Sequence, residues 1–312
     1  MLPVIHSHTE HEVMLIRSLP SVDDILAGQL APSSIAMYRR DVAAYNAWVK
    51  SEGIDALNPR ALDAWRDHLA MHTDLSPNTI NRMLAAVKRL VREASRRKVI
   101  DASLKVEFDQ VPGVKVKSLK SRLKHHSRTR IAPDDMRRLC ETPDTRTLVG
   151  KRDAALLATL ASSGVRASEL ATLTVGQIVK KGRGYQLQVC GKTDTEYRDA
   201  ALSREAYDLI MQWIAARPVM SQHVFTSFAG RGLRATDQPL SETGVWKIVT
   251  GYAEQCHLAH IKPHDFRRFV GTQLAAKDIR KAQVALGHKS IEITARHYVL
   301  DELEVGLTDH LY

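Results

Sequence analysis

The chain has 312 residues, of which 44% are hydrophobic, so it is long and apolar enough for two folded domains. Its 45 lysines and arginines exceed 35 acids, and this formal charge of +10 favours a polyanionic partner, most often nucleic acid, although a generally basic enzyme has the same balance. No apolar run approaches the roughly 18 residues of a membrane span, and three scattered cysteines argue against a disulfide framework or a zinc module. We therefore expect a protein of a reducing compartment without a membrane partner.

Residues 1–20 lack the basic start and long apolar core of a signal peptide, and we expect a tail there. Residues 21–112 have a helical pattern and are predicted to form a first domain. Its first long helix, expected to begin at the Ser33–Ser34 pair, has an apolar stripe at helical spacing: Tyr38, Val42, Tyr45 and Val49. Asn58–Pro59 and Ser76–Pro77 open two more helices, because Asn and Ser cap a helix and proline suits its first position.

The third of these helices is predicted to run to about residue 98 and has a strongly basic outer surface. Its seven cations face one acid, Glu93: Arg82, Lys88, Arg89, Arg92, Arg96, Arg97 and Lys98. A solvated helix face is the ordinary explanation for surface charge, but this imbalance exceeds what solubility requires. Residues 113–130 add seven lysines and arginines and no acid, which predicts a basic interdomain linker able to lie along phosphates.

A second domain is predicted over residues 131–312. Ala132–Pro133 followed by two aspartates marks a helix start, and residues 151–161 form a strongly apolar, buried helix. Alternation in residues 185–189, the turn GKTDT and a returning segment, residues 197–202, indicate a β-hairpin. Four further helices are expected near residues 205–216, 241–255, 265–276 and 278–285. The fold class is therefore mainly α with a small antiparallel β-sheet.

Six polar residues of this second domain are poorly explained by packing when taken together: Arg166, Lys192, His264, Arg267, His288 and Tyr298. Taken singly, each has an ordinary explanation. Arg166 can form a structural ion pair with Glu169 one helical turn later, and Lys192 can be a solvated turn residue. Either histidine can cap a helix end, and a tyrosine in a short C-terminal helix usually packs. Together they make a cationic pocket with one weak nucleophile and no carboxylate pair suited to a metal.

Transfer of a phosphodiester requires this combination of side chains. Attack on the phosphate spreads negative charge over its oxygens, and forked guanidinium donors neutralise that charge without a metal ion. A phenol has a pKa of about 10, and nearby cations favour its deprotonated, nucleophilic form. The departing 5′ oxygen needs a proton, which a lysine on a mobile hairpin tip can supply.

The order of these motifs, GVRASEL, the hairpin GK, HDFR, LGH and a late tyrosine, resembles the tyrosine recombinases, or phage integrase family, across most of the chain. The resemblance implies a helical, SAM-like core-binding domain followed by an α+β catalytic domain, in a simple Cre- or Xer-like architecture. Two departures are visible. Arg268 stands where many members have a second histidine, and the interval from His288 to Tyr298 is one residue longer than in the commonest members.

The resemblance also implies a role for each motif residue. Arg166 and Arg267 would clamp the scissile phosphate, and Glu169 would support them from behind. Lys192 would protonate the 5′ oxygen, and His264 would bond the phosphate and assist proton transfer to and from the nucleophile. His288 would donate to a nonbridging oxygen, and Tyr298 would form a 3′-phosphotyrosyl intermediate, with a polar turn before it that leaves it free to move. Neither metal nor ATP is expected as a cofactor.

The expected partner is double-stranded DNA with a specific core site. Five residues of the third helix are expected to contact its bases or phosphates: Asn78, Thr79, Arg82, Lys88 and Arg92. The acidic, amphipathic tail at residues 300–312 is expected to dock on a neighbouring subunit and link a homotetramer on two DNA sites, with accessory proteins possible. The family also implies a bacterial, phage or mobile-element protein in the cytoplasm, associated with the nucleoid.

Two alternative functions remain open from the residues. A type IB topoisomerase-like enzyme uses the same chemistry without strand exchange, and a DNA-binding accessory protein needs no catalysis. The full residue set disfavours the accessory protein, and the two-domain layout with its tail disfavours the topoisomerase.

Overall fold

The computed structural model describes residues 17–122, 131–191, 196–230, 234–258 and 260–298. The chain divides into two compact units, residues 1–127 and 128–312. Both units are mainly helical, and the described β-strands all belong to the second. None of the helices described is both long and apolar enough to cross a bilayer.

Over residues 17–122 the first unit has five α-helices: α1 Val22–Leu26, α2 Pro32–Ser51, α3 Pro59–His72, α4 Pro77–Arg96 and α5 Ala102–Gln110. Asn58 and Ser76 cap α3 and α4 through their side-chain oxygens, as predicted. The start of α2 predicted at the Ser33–Ser34 pair was slightly too late in the chain. The helix begins at Pro32, because a proline at the first helical position lacks only an N–H that has no intrahelical acceptor there.

The core of the first unit lies between α2, α3 and α4. Val42, Tyr45 and Val49 of the predicted stripe are buried, and Tyr38 packs at the edge. The Tyr45 ring lies 5.1 Å from the Trp65 ring, and its hydroxyl donates to a backbone carbonyl oxygen at 3.0 Å, so this buried phenol keeps a polar partner.

The predicted linker begins as part of the first unit. Val114 donates to the Asn81 side chain at 2.8 Å and accepts from it at 3.0 Å, so the chain pairs with α4 as it would with a neighbouring strand. Two short 3-10 turns follow within Val116–Arg122, joined by a kink at Leu119, whose side chain packs on the core. Residues 113–122 are therefore attached to the first unit, and residues 123–130 lie outside the described residues.

The second unit contains eight α-helices in the described residues: α6 Pro133–Glu141, α7 Leu148–Ser163, α8 Ala167–Ala171, α9 Arg204–Ala216, α10 Glu242–Gln255, α11 Pro263–Ala275, α12 Ile279–Leu286 and α13 Ile291–Tyr298. The core around α7 includes the fully buried rings of Trp213, Phe225 and Phe266. The helices predicted in this region are confirmed, with ends that differ by a few residues.

The described part of the second unit also has two small antiparallel sheets. Strands β1 Ile178–Lys181, β2 Gly184–Val189 and β3 Arg198–Leu202 form one sheet in that order, which confirms the predicted hairpin. In its register Leu187 lies opposite Ala200. Strands β4 Thr226–Ala229 and β5 Arg234–Pro239 form a second sheet that the sequence pattern did not predict, since these strands lack a clean apolar alternation.

Candidate active site

Arg166 is placed by the turn that ends α7. Gly164 there has φ +62°, and a Cβ at this position would lie 3.1 Å from side chains of Val270 and Leu286, so glycine permits both the turn and the close packing. Arg166 follows as the N-cap of α8. Its backbone N–H and its Nη1 donate to the two oxygens of Glu169 at 2.8 and 2.7 Å, so the predicted contact between these residues is confirmed.

Arg267 lies in the interior, only 2% exposed, where the ends of two helices meet. Its Nη1 donates to the carbonyl oxygen of Gly164 at 2.9 Å, and its Nη2 donates to that of Leu286. Burial lowers the pKa of Arg267, yet a guanidinium remains charged at any physiological pH. This buried cation therefore joins α11 to the ends of α7 and α12.

His288 follows Gly287, the left-handed C-cap of α12, as the sequence predicted. Its Nε2 lies 3.2 Å from Nη2 of Arg267, and its Nδ1 lies 2.9 Å from Oγ1 of Thr294. Because a guanidinium can only donate, Nε2 accepts in this contact, and the ring proton is assigned to Nδ1. The ring is thus held on both sides in its neutral form.

Tyr298 is buried, with 4% of its surface exposed, at the end of α13. Its ring stacks on His288 with 5.3 Å between centroids and an 18° angle between planes. On its other side it lies against Gly271 of α11, where a Cβ would come within 2.4 Å of the Tyr298 ring. Tyr298 is therefore packed between a glycine and a histidine ring in this structure, and its expected freedom to move stays a prediction.

Arg198, which the sequence analysis missed, links these parts. It is the first residue of β3, and its Nη2 donates to Glu169 at 2.7 Å while its Nη1 donates to the carbonyl oxygen of Ala285 at 2.9 Å. A signal was available. Arg198 shares the inward register of β3 with buried Ala200 and Leu202, so a charge at that position needs a polar partner within the unit.

A cavity of about 380 Å³ opens beside these residues. Arg166, His264 and Arg267 line it, so three of the predicted site residues share one concavity. His264 is exposed at the start of α11, three residues before buried Arg267. The remaining wall includes Lys262, Glu242 of α10 and the half-exposed ring of Trp246. The cavity can therefore take an anion between cations, with an aromatic ring at its side.

Two predicted features belong to segments that the structure does not describe. Lys192 lies in residues 192–195 and the tail in residues 300–312, and both segments are outside the described residues. Arg268, the residue at the second-histidine position, pairs with Asp265 at 3.3 Å. Within the described ranges, no three histidine, cysteine or acidic side chains are grouped as a metal site would require.

The five expected DNA contacts lie along α4 in different settings. Asn78 is exposed in the first turn, and Thr79 takes part in the Ser76 cap. The cations have partners within the unit. Arg82 pairs with buried Asp41, Arg92 donates to Asp109 at 2.8 Å, and Lys88 donates to two carbonyl oxygens at the end of α5. Burial lowers the pKa of Lys88. Part of the basic surface of α4 thus also holds α2 and α5 in place.

Comparison with known proteins gives matches over both units. The family model described as "Phage integrase family" matches residues 129–303, which is more than half of the chain. A second family model, "Phage integrase, N-terminal SAM-like domain", matches residues 24–98. Tyrosine recombinase XerC of Chromohalobacter salexigens is 28% identical over 285 residues, which is 88% of each chain. Tyrosine recombinase XerC of Pelotomaculum thermopropionicum is 32% identical over 228 residues, or 70% of each chain.

Solved structures show the same fold at low sequence identity. The Tn1549 transposon integrase (residues 82–397), in complex with circular intermediate DNA, has a TM-score of 0.63 at 16% identity, with 91% of this chain and 96% of that chain covered. A lambda integrase (residues 75–356) dimer bound to a COC′ core site has a TM-score of 0.62 at 14% identity, with 91% and 94% covered.

Proposed function

Because the chain belongs to the phage integrase family and is a site-specific tyrosine recombinase, we propose that Tyr298 is the nucleophile that cuts its DNA and that Arg166 and Arg267 hold the scissile phosphate. The main support is the shared cavity. Arg166, Arg267 and His264 line it, and Tyr298 stacks on His288, which itself contacts Arg267. Tyr298 and both arginines are therefore connected within one subunit.

In the first step, the Tyr298 phenol oxygen attacks phosphorus and the bond from phosphorus to the 5′ oxygen breaks. The phenol proton passes to His264, and Lys192 protonates the departing 5′ oxygen. The product is a 3′-phosphotyrosyl bond and a free 5′ hydroxyl. Rejoining reverses these transfers, with the 5′ hydroxyl of the partner strand as the attacking group.

The two arginines stabilise the charge that develops on the nonbridging oxygens. A fixed donor of this kind typically contributes about 10²–10³ in rate. Arg267 is positioned before DNA binds, because two backbone carbonyls already hold its guanidinium. His288 would donate to the same oxygens in its other neutral tautomer, in which the ring proton is on Nε2, Nδ1 accepts from the Thr294 hydroxyl and Arg267 no longer donates to the ring. The reaction as proposed uses protein side chains alone, so we expect it to need neither a metal ion nor ATP.

The first unit would then hold the duplex. The proposal retains Asn78, Thr79, Arg82, Lys88 and Arg92 as its contacts. Asn78 is exposed and suited to a base edge, and Arg92 can exchange its exposed partner for a phosphate. Lys88 is the least suited of the five, since two carbonyl oxygens hold its ammonium group.

The proposal extends to the assembly and its role. Strand exchange between two sites needs several subunits, and a homotetramer linked by residues 300–312 would supply them. That tail carries acids among leucines, which matches docking on the basic surface of another copy. The reaction would integrate, excise or resolve a mobile element or replicon in a bacterial cytoplasm, with accessory proteins where the site requires them.

The test starts from DNA that copurifies with the Tyr298→Phe variant after formaldehyde crosslinking in the host. Sequencing it gives the site, and a duplex nicked near the cleavage point traps the covalent intermediate. We expect an adduct with the wild-type chain and with the matched control Tyr185→Phe, a tyrosine of β2 that does not line the cavity, in EDTA as in buffer, and none with Tyr298→Phe.

Other outcomes would favour the alternatives. An adduct with Tyr298→Phe would reject the assigned nucleophile, and loss of cleavage in EDTA would indicate a metal nuclease. Relaxation of supercoils with little site preference would support the topoisomerase-like enzyme. A gel shift without any adduct would support a binding protein.

A further inference from the structure

We propose that Arg198 is a positioning residue of the cleavage reaction, which holds the Arg166 turn and the His288 turn at a fixed separation through one guanidinium. This inference rests on the proposed function of those two residues. Arg198 lies at the start of β3, in neither of the two turns, and only 13% of its side chain is exposed.

One end of the link is Glu169. The side chain of this glutamate is 1% exposed, and its two oxygens accept three hydrogen bonds: two from Arg166 and one from Arg198. A buried carboxylate between two guanidiniums is stable only while both remain in place, because the loss of either leaves part of its charge uncompensated. The rotamer of Glu169, and through it that of Arg166, therefore depends on Arg198.

The other end is the last turn of α12. The C-terminal carbonyls of a helix have no partner within the helix and carry partial negative charge. Here two successive carbonyls bind one arginine each: Ala285 accepts from Arg198 and Leu286 from Arg267. Gly287 and His288 follow directly, so the arginines together fix the point from which His288 projects.

Gly287 gives an independent sign of how closely Arg198 is packed. A Cβ at this glycine, whose φ is +64°, would lie 2.3 Å from Cδ of Arg198. The arginine stem therefore passes against the backbone of the turn that carries His288. A shorter or unforked side chain at residue 198 cannot both pass against the backbone of Gly287 and reach Glu169 and Ala285.

The experiment measures single-turnover cleavage of the nicked duplex at saturating DNA for Arg198→Met and Arg198→Lys. The rate constant reports geometry in active molecules, and the amplitude counts the molecules that are active. We expect Arg198→Met to lower the rate constant by about 10- to 100-fold, the range for a misplaced catalytic group. Arg198→Lys restores part of it, since an ammonium reaches one partner but does not fork to both. DNA affinity changes little.

The matched control is Arg204→Met, an arginine of the same unit that is 72% exposed and lies 3.5 Å from Asp208 and 5.9 Å from the centroid of the Tyr185 ring. Its rate constant should equal that of the wild type. In an Arg166→Ala background, the Arg198→Met change should cost several-fold less than in the wild type, because the residue that it positions is gone.

A reduced amplitude with an unchanged rate constant would overturn the proposal and leave Arg198 a purely structural residue. Equal losses in the two backgrounds would also overturn it. Failure of the proposed function is separate, since it would appear as an adduct that survives Tyr298→Phe.

Discussion

Gly271 is the position where one added methyl group tests whether the packed place of Tyr298 is the place from which it reacts. In Gly271→Ala the new Cβ would lie 2.4 Å from Cδ1 and 2.7 Å from Cε1 of Tyr298. Nonbonded carbon atoms normally lie about 3.5–4.0 Å apart, so the ring has to move by about 1 Å or more. A catalytic group displaced by about 1 Å can lose about 10²-fold in rate.

We therefore expect Gly271→Ala to lower the single-turnover rate of covalent adduct formation by about 10²-fold, with DNA affinity unchanged. Overpacking costs about 1–3 kcal/mol, of which the higher helix propensity of alanine returns about 1 kcal/mol, so the variant should fold with a lower Tm. The matched control is Gly251→Ala in α10, where an added Cβ has no atom within 4 Å. This control should cleave normally and be no less stable.

The reasoning fails if Gly271→Ala is folded, binds DNA and cleaves at the wild-type rate. It also fails if cleavage becomes faster, because the buried position of Tyr298 would then be a resting state that the methyl group relieves. The rate constant of the folded variant at saturating DNA decides between these outcomes.

Three further predictions concern other parts of the chain. Bound DNA should shield Trp246, which is 47% exposed on the cavity wall. Acrylamide quenching of tryptophan fluorescence should therefore decrease when DNA binds, and unchanged quenching would indicate that the DNA binds elsewhere. Lys88→Met should lower the free energy of unfolding by about 1.5–3 kcal/mol in urea titrations, because two carbonyls at the end of α5 lose a charged donor. If Lys88 also binds a phosphate, as proposed, the same change should lower the slope of log Kd against log salt by about 0.9. Burial raises the pKa of the Cys140 thiol to about 12, so the thiol stays protonated at about pH 8. Iodoacetamide should therefore leave Cys140 unmodified in the folded protein, as measured by peptide mass spectrometry. Alkylation as fast as in urea would contradict this.

The parts of the fold that could be predicted are those set by local rules. Asn58 and Ser76 predict the starts of α3 and α4, because each is a capping residue followed by proline. The β2–β3 hairpin follows from alternation on both sides of a turn. The β4–β5 hairpin escaped prediction because its pairing depends on neighbours in the folded unit and not on its own pattern.

The candidate site was predictable as a set of residue types but not as an arrangement. The order of the motifs predicts Arg166, His264 and Arg267 as site residues, and these three line one cavity. The sequence indicates that a tyrosine in a short C-terminal helix usually packs, but it does not show which residues Tyr298 packs against, because they lie on other segments of the chain. Its burial depends on Gly271, which lies on another helix and has no side chain to indicate that it is a contact.

The arrangement of the site follows from how helices end. Gly164 and Gly287 each adopt a left-handed conformation, and each ends a helix immediately before the segment that carries Arg166 or His288. A helix that ends this way leaves carbonyl oxygens without intrahelical partners, and buried carbonyls must find donors. Arg267 binds one carbonyl at each of the two ends, so the group proposed to bind the phosphate also satisfies the backbone. A change at either glycine should therefore disturb catalysis through Arg267, although neither glycine has a side chain to touch the substrate.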